Sequence, residues 1–257
     1  MDRTELRAAL ASGMVETRYQ PIVRLDDGGA IGVEALARLN HPTRGTVQPD
    51  HFVPQIEDAG LAAELADCVA ASAFADMGSM AIAPLGLMVG LNLPLEVLLV
   101  PAALERLDVR RRAACVPAER VVIELTESQP VVDVAGLRHA TGQVRQAGYR
   151  AVIDDVAPSV PRVKELMTLP FSGVKLDRAL VGEIDTCAES RSFVASVIAS
   201  ARSRAMTVTV EGVEDCADWQ RAQEIGAHHA QGFLVAHPLE AAALPDWLTR
   251  WNELRVI

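Results

Sequence analysis

Seven apolar runs in the sequence each carry a carboxylate, an amide or a lysine where a buried strand would avoid one. Glu34 lies in "VEALARL", Asn92 in "GLNLP" and Glu124 in "VIELTES". Asp154 and Asp155 end "VIDD", Lys175 interrupts "VKLD", Glu211 lies in "TVEGVE" and Gln231 in "AQGF". Any one of these could cap a strand or begin a loop. Repeated at the same relative place on successive runs, they read as one site. Five carboxylates (Glu34, Glu124, Asp154, Asp155 and Glu211) gathered within about 5 Å would repel by roughly 3 kcal/mol per pair at an effective dielectric near 20. Lys175 alone cannot offset that, so either several of them hold protons or divalent cations sit among them. Oxygen donors with a single amide favour Mg2+ or Mn2+ over zinc. Two adjacent aspartates also allow one carboxylate to bridge two ions, as in two-metal phosphoryl chemistry.

Such a site needs elements that bring distant residues to one rim. Strand-like runs recur as "TRYQPIVRL", "AIGVEALARL", "LGLMVGLNL", "RVVIELTES", "RAVIDDV", "SGVKLD", "MTVTVEGV" and "HAQGFLV". Amphipathic segments such as "VDVAGLRHATGQVRQAG" and "SRSFVASVIASARSRA" separate the later ones, with Gly148 and Gly226 where helices should end. The first two runs are joined by "DDGG" and predict an antiparallel hairpin; the rest predict parallel strands with crossover helices. Eight strands and about seven helices imply an α/β fold, a TIM-like (β/α)8 barrel with one antiparallel strand. Its C-terminal strand ends meet around one mouth. An open doubly wound sheet is the competing fold, weakened because no Gly-x-Gly-x-x-Gly turn follows any strand. Alternation places Glu34 on one face with Arg38, and Lys175 with Asp177. Asp154 and Asp155 cannot both point inward from a regular strand, so Asp155 belongs where the chain has begun to turn.

The 257 residues are 50% hydrophobic and 23% charged, enough for one large core. A net charge of −10 argues against binding a nucleic-acid polymer, and an acidic protein that handles a phosphate needs a cation at the site. Charges in "MDRTELRAAL" disfavour an export signal. Pro84, Asn92, Pro94 and Glu96 interrupt the most membrane-like stretch, "MAIAPLGLMVGLNLPLEVLLV", which reads as a strand and a following helix. A cytoplasmic location is therefore expected. Cys68, Cys115, Cys187 and Cys216 are scattered, and no His-Glu-x-x-His spacing occurs, so neither residue type predicts a metal site.

The "EAL" of Glu34 to Leu36 resembles the signature of the EAL domain, the bacterial cyclic di-GMP phosphodiesterase. It is preceded by "RYQPIV" and followed in order by "NLP", "IELTES", "IDD", "VKLD", "VEGVE" and "QGF", so the resemblance spans roughly residues 16 to 240. The whole chain, 1–257, then reads as a single EAL domain. The resemblance implies hydrolysis of one 3′–5′ phosphodiester of cyclic di-GMP to linear pGpG, with two Mg2+ or Mn2+ ions. It assigns Glu34, Asn92, Glu124 and Asp154 to the first ion, and Asp154 and Asp155 to the second. It makes Lys175 the group that orients the nucleophilic water, and Glu211 an acid that binds or deprotonates it. Gln231 supports that cluster, while Gln20, Arg38, Asp177 and Glu214 line the nucleotide. A homodimer is the family's usual state.

The sequence leaves the family pattern after the two aspartates. Where members carry a loop of the type Phe-Gly-Thr-Gly-Tyr-Ser-Ser, this chain reads "VAPSVPR", Val156 to Arg162. Both glycines, which permit positive φ, and the aromatic residues are gone, and Pro158 and Pro161 fix φ and remove amide donors. In the family this loop surrounds the second ion, contributes dimer contacts and is anchored by a glutamate that Glu127 matches. The departure leaves a second reading beside the enzyme: a receptor that binds cyclic di-GMP and signals through a protein partner without cleaving it. A protein-binding scaffold and an enolase-like barrel are further alternatives.

Overall fold

The computed structural model describes residues 1–126, 134–158 and 162–254. Among the described residues nine strands run in chain order: β1 (Val15–Arg24), β2 (Ala30–His41), β3 (Gly45–Val47), β4 (Met88–Pro94), β5 (Val121–Thr126), β6 (Arg150–Ile153), β7 (Gly173–Leu176), β8 (Thr207–Val210) and β9 (His229–Gln231). They pair in the order β1-β9-β8-β7-β6-β5-β4-β2-β3, and a further β1–β2 pairing closes eight of them into a barrel. β1 is antiparallel to both its neighbours, whereas β2 and β4 to β9 pair in parallel. One strand of the barrel therefore runs against the other seven, as the short hairpin after Arg24 predicts.

All eight expected runs form barrel strands, and β3 is an addition. It pairs with Leu39 to His41 at the far end of β2. That makes β2 twelve residues long, so Glu34 lies within the strand and not at its end. The β2–β4 pairing stops at Ala35 and Leu91, which shows where β2 leaves the barrel and runs on past its rim. The helices also outnumber the seven expected, because three of the crossovers are split. Two helices, Pro49–Asp58 and Ala62–Met77, follow β3; Leu95–Leu98 and Pro101–Ala113 follow β4; Arg178–Gly182 and Ala188–Ser203 follow β7. Proline at the start of Pro49–Asp58 and of Pro101–Ala113 suits a first helical turn, whose N–H groups have no partner inside the helix.

The barrel interior and the layer beneath the helices are filled by Val, Ile, Leu and Ala, including Val33, Val89, Ile123, Val174 and Val208. Each alternates with an inward neighbour, which is how a strand buried on both faces serves the core and the site at once. β7 is the extreme case: all four of its residues are buried, Lys175 among them. No helix among the described residues is long and apolar enough to cross a membrane.

Candidate active site

Strand register brings the polar residues together. Glu34 lies opposite Gln20 on β1 and Gly90 on β4, and Asn92 lies opposite Glu124 on β5. Asp154 follows β6 and continues the ladder by donating its N–H to the Leu125 carbonyl at 3.0 Å; Glu211 follows β8 and bonds the Leu176 carbonyl at 2.9 Å. Asp155 has φ +51, so the chain has turned there, as the adjacent aspartates demand. Its N–H bonds Asp154 Oδ1 at 3.0 Å, which ties the turn to the strand end.

Lys175 stands at the centre. Its Nζ lies 2.7 Å from Glu211 Oε1, 2.8 Å from Glu124 Oε2, 3.0 Å from Glu34 Oε2 and 3.3 Å from Asp154 Oδ1. Glu34 also accepts from Asn92 Nδ2 at 2.6 Å and Gln231 Nε2 at 2.7 Å. Gln231 Nε2 is 3.2 Å from Gln20 Oε1, and Gln20 donates to the Ala236 carbonyl, so the amides form a fixed fence on one side. The Gln231 Oε1 atom is buried without a hydrogen-bond partner.

Four carboxylates around one ammonium cannot all be comfortably ionised. Burial pushes the Glu124 carboxyl up to about 8 and Asp154 up to about 6, in each case more than the Lys175 charge pulls them down. Burial also raises Glu211 well above the usual carboxylate range, and it raises Asp155. Glu34 moves the other way: burial is outweighed by the Lys175 charge and by the bonds from Gln231, Asn92 and Lys175. For Lys175 itself, burial would depress the ammonium, but the charges of Glu124, Glu34, Asp154 and Glu211 hold it well above its ordinary value. The cluster thus carries one anchored carboxylate and several that crave either a proton or a cation. Two triplets, Glu34–Glu124–Asp154 and Asp154–Asp155–Glu211, place oxygens within 4.8 Å of one another. Asp154 belongs to both. The donor set, all oxygen with Asn92 beside it, fits a pair of hard divalent ions sharing one carboxylate.

Above the cluster opens a cavity of about 600 Å3, the size of a site for a small ligand. Its floor is Gln20, Glu34, Asn92, Asp154, Asp155, Glu211 and Gln231, and Glu214 lies on its wall. Glu214 is held by Arg178 Nη1 at 2.5 Å. Glu124 and Lys175 lie beneath it and line a smaller cavity of about 60 Å3 inside the barrel. Arg38 and Asp177 are not among the lining residues. The Arg38 guanidinium bonds the Ala37 carbonyl at 2.8 Å, and Asp177 caps the helix Arg178–Gly182 through the Ala179 N–H. Glu127 and residues 159–161 of the altered loop lie outside the described residues; of that loop, Val156 is buried and Pro158 exposed.

The opposite wall of the cavity was not legible as such. The helices Pro49–Asp58 and Ala62–Met77 supply Asp50, Val53, Glu57, Leu65 and Val69, and Phe233 projects from the loop after β9 with 52% of its surface exposed. Phe233 packs against His237, with ring centroids 4.1 Å apart and planes tilted by 34°. Gly232, between Gln231 and Phe233, is dictated by space. It has φ +156, and a Cβ there would come within 2.2 Å of the Val213 N and O atoms. Val213 in turn bonds the Gln231 carbonyl at 3.0 Å. Gly232→Ala is expected to cost about 3 kcal/mol or more, from strain plus overpacking. Gly13→Ala, where a Cβ meets nothing within 4 Å, serves as the control for positive φ alone. Equal shifts in denaturant midpoint for the two variants would refute the packing account.

Residues 3–238 match the EAL domain family. The chain belongs to that family. Among curated relatives, the EAL chain is 31% identical over 238 residues to RocR of Pseudomonas aeruginosa, named a cyclic di-GMP phosphodiesterase, covering 93% of this chain and 61% of RocR. It is 30% identical over 253 residues to NbdA of the same organism, also named a cyclic di-GMP phosphodiesterase, covering 96% of this chain and 32% of NbdA. The EAL chain thus spans less than two thirds of the length of these curated relatives. Among solved structures, the PaMucR phosphodiesterase in complex with cyclic di-GMP superposes with a TM-score of 0.85 at 26% identity, over 94% of this chain and 98% of the solved chain. The FimX EAL domain of Pseudomonas aeruginosa, at 21% identity and TM-score 0.80, over 93% of this chain and 97% of that one, shares the fold.

Proposed function

We propose that this EAL domain hydrolyses cyclic di-GMP to linear pGpG, using two Mg2+ or Mn2+ ions at the barrel mouth. The observation that carries the reading is the pair of carboxylate triplets sharing Asp154 directly under the open cavity. Glu34, Asn92, Glu124 and Asp154 would hold one ion, and Asp154 with Asp155 the other. Bound there, the ions supply Lewis acidity to the scissile phosphate and lower the pKa of the attacking water.

The chain's own groups account for the remaining steps. Glu211 is the most solvent-facing of the four carboxylates on Lys175, with 19% of its side chain exposed, so it can reach a water in the cavity. Burial raises its carboxyl, which makes the carboxylate a stronger base toward that water. Lys175 fixes the Glu211 carboxylate and the water's approach. Water oxygen forms a bond to phosphorus, the bond from phosphorus to the 3′ oxygen breaks, and the leaving oxygen takes a proton from solvent. Gln20, Gln231 and Glu214 line the path of the nucleotide, and Arg38 and Asp177 are assigned to the same ligand.

The altered loop favours a second reading, a cyclic di-GMP receptor without turnover. Asp155 sits in the left-handed region, and Val156 and Ala157 follow it where the family carries an aromatic and a glycine. Purified protein with Mg2+ or Mn2+ separates the two. Conversion of cyclic di-GMP to pGpG, followed by chromatography, is the expected result. Calorimetric binding with no product over hours, in either metal, would establish the receptor instead.

A further inference from the structure

Of the 24 Lys and Arg residues in the chain, only Lys164 and Lys175 are lysines. A sequence so committed to arginine keeps a lysine at the one position where a single nitrogen must face four carboxylates, at 2.7, 2.8, 3.0 and 3.3 Å. Geometry explains the choice. An ammonium is a compact point charge, whereas a guanidinium spreads its charge over a planar fork and cannot put one centre among four converging oxygens. Lys175 is also fully enclosed, so its charge is little screened by water.

The four carboxylates that surround Lys175 are the same ones that form the two metal-competent triplets, with Asp155 added. One oxygen of each is already engaged by the ammonium. Glu34 is further committed, to Asn92 through Oε1 and to Gln231 through Oε2. A divalent ion arriving here meets a positive charge within one ligand diameter and must share or displace it. We propose that Lys175 is a built-in counter-cation: it competes with divalent ions for the charge of Glu34, Glu124, Asp154 and Glu211, and so sets how tightly the site holds metal. The same ammonium keeps the carboxylates gathered when no divalent ion is bound. This inference rests on the metal-binding reading above and goes beyond it, because it assigns Lys175 an effect on metal affinity opposite in sign to that of a ligand.

The test is metal affinity, not turnover. Lys175→Met keeps the length of the side chain and removes the charge. Mn2+ binding to this variant, by calorimetry and by the loss of the free-ion paramagnetic resonance signal, is expected to tighten by about tenfold or more. Without divalent ions its Tm should fall below that of the wild type, and Mn2+ should raise it by more. Lys175→Gln should shift affinity in the same direction, and Lys175→Arg, which keeps the charge but cannot centre it among the four oxygens, should fall between the wild type and Lys175→Met. Because the chain has two lysines, 15N-labelled lysine gives two side-chain signals in the wild-type protein; Mg2+ should shift that of Lys175 and leave Lys164 unmoved. A folded Lys175→Met protein that binds Mn2+ no more tightly than the wild type overturns the proposal. If the variants do not fold, an unmoved Lys175 signal on Mg2+ titration overturns it alone. A wild type that binds no Mn2+ removes this inference together with the metal-dependent reading, whereas turnover with unchanged variant affinity removes this inference only.

Discussion

Glu34→Ala is expected to lose turnover of cyclic di-GMP by about 10³-fold or more while keeping its fold, since removal of one charge-stabilising group typically costs 10²–10³ in kcat and a ligand to the metal does more. Glu34 accepts three side-chain donors, from Asn92, Gln231 and Lys175. Truncation therefore removes a proposed metal ligand and frees the two amides that fix its orientation. The fold survives because Lys175 keeps Glu124, Asp154 and Glu211 as partners, and these raised carboxyls can give up a proton to replace the lost charge. Glu34→Gln should show a similar loss of activity with a smaller disturbance, since the amide keeps the shape but is a poorer ligand. Steady-state assays in Mn2+ with a thermal melt on each variant check both halves. A Glu34→Ala protein that retains a tenth of the turnover would mean that Glu34 is not a ligand.

The residues that answer to local rules were legible in the sequence, and those placed by packing were not. Alternation and apolar run length mark all eight barrel strands, and the hairpin after Arg24 fixes the direction of β1. Convergence of Glu34, Asn92, Glu124, Asp154, Lys175, Glu211 and Gln231 follows from closing those strands into a barrel, which turns sequence separation into proximity. Asp155 in the left-handed region follows from two adjacent acids at one strand end. β3 has three residues and no apolar run, so nothing in the sequence marks it, and without it β2 reads as ending at the rim. The far wall, with Asp50, Glu57 and Phe233, depends on how two helices and one loop dock against the mouth, and periodicity carries no information on docking. Arg38 is on the face of Glu34 as alternation predicts, on the part of β2 beyond its pairing with β4, where its guanidinium bonds the Ala37 carbonyl.

Metal affinity is expected to rise steeply with pH, because the groups that would bind the ions hold protons that must first be lost. With Glu124 near 8 and Asp154 near 6, an ion binding at pH 6 displaces the Glu124 proton and part of the Asp154 proton. The apparent Mn2+ affinity should therefore increase about 100-fold from pH 6 to pH 8, and change by up to about 100-fold per unit below 6, where both protons compete. Stability without divalent ions has the opposite slope. A carboxyl whose folded pKa lies above its unfolded value keeps its proton longer in the native state. Its contribution is present at low pH and is lost as pH rises from the ordinary carboxylate range through about 6 for Asp154 and about 8 for Glu124. Divalent ions reverse that trend by replacing the lost protons with charge the carboxylates can share. Melts recorded from pH 5 to 9 in chelator and in Mn2+ should diverge as pH increases, and calorimetry in two buffers of different ionisation enthalpy should detect the released protons. Affinity that is flat between pH 6 and 8, with no proton release, would show that the acids under the cavity are already ionised and that Lys175 alone satisfies them.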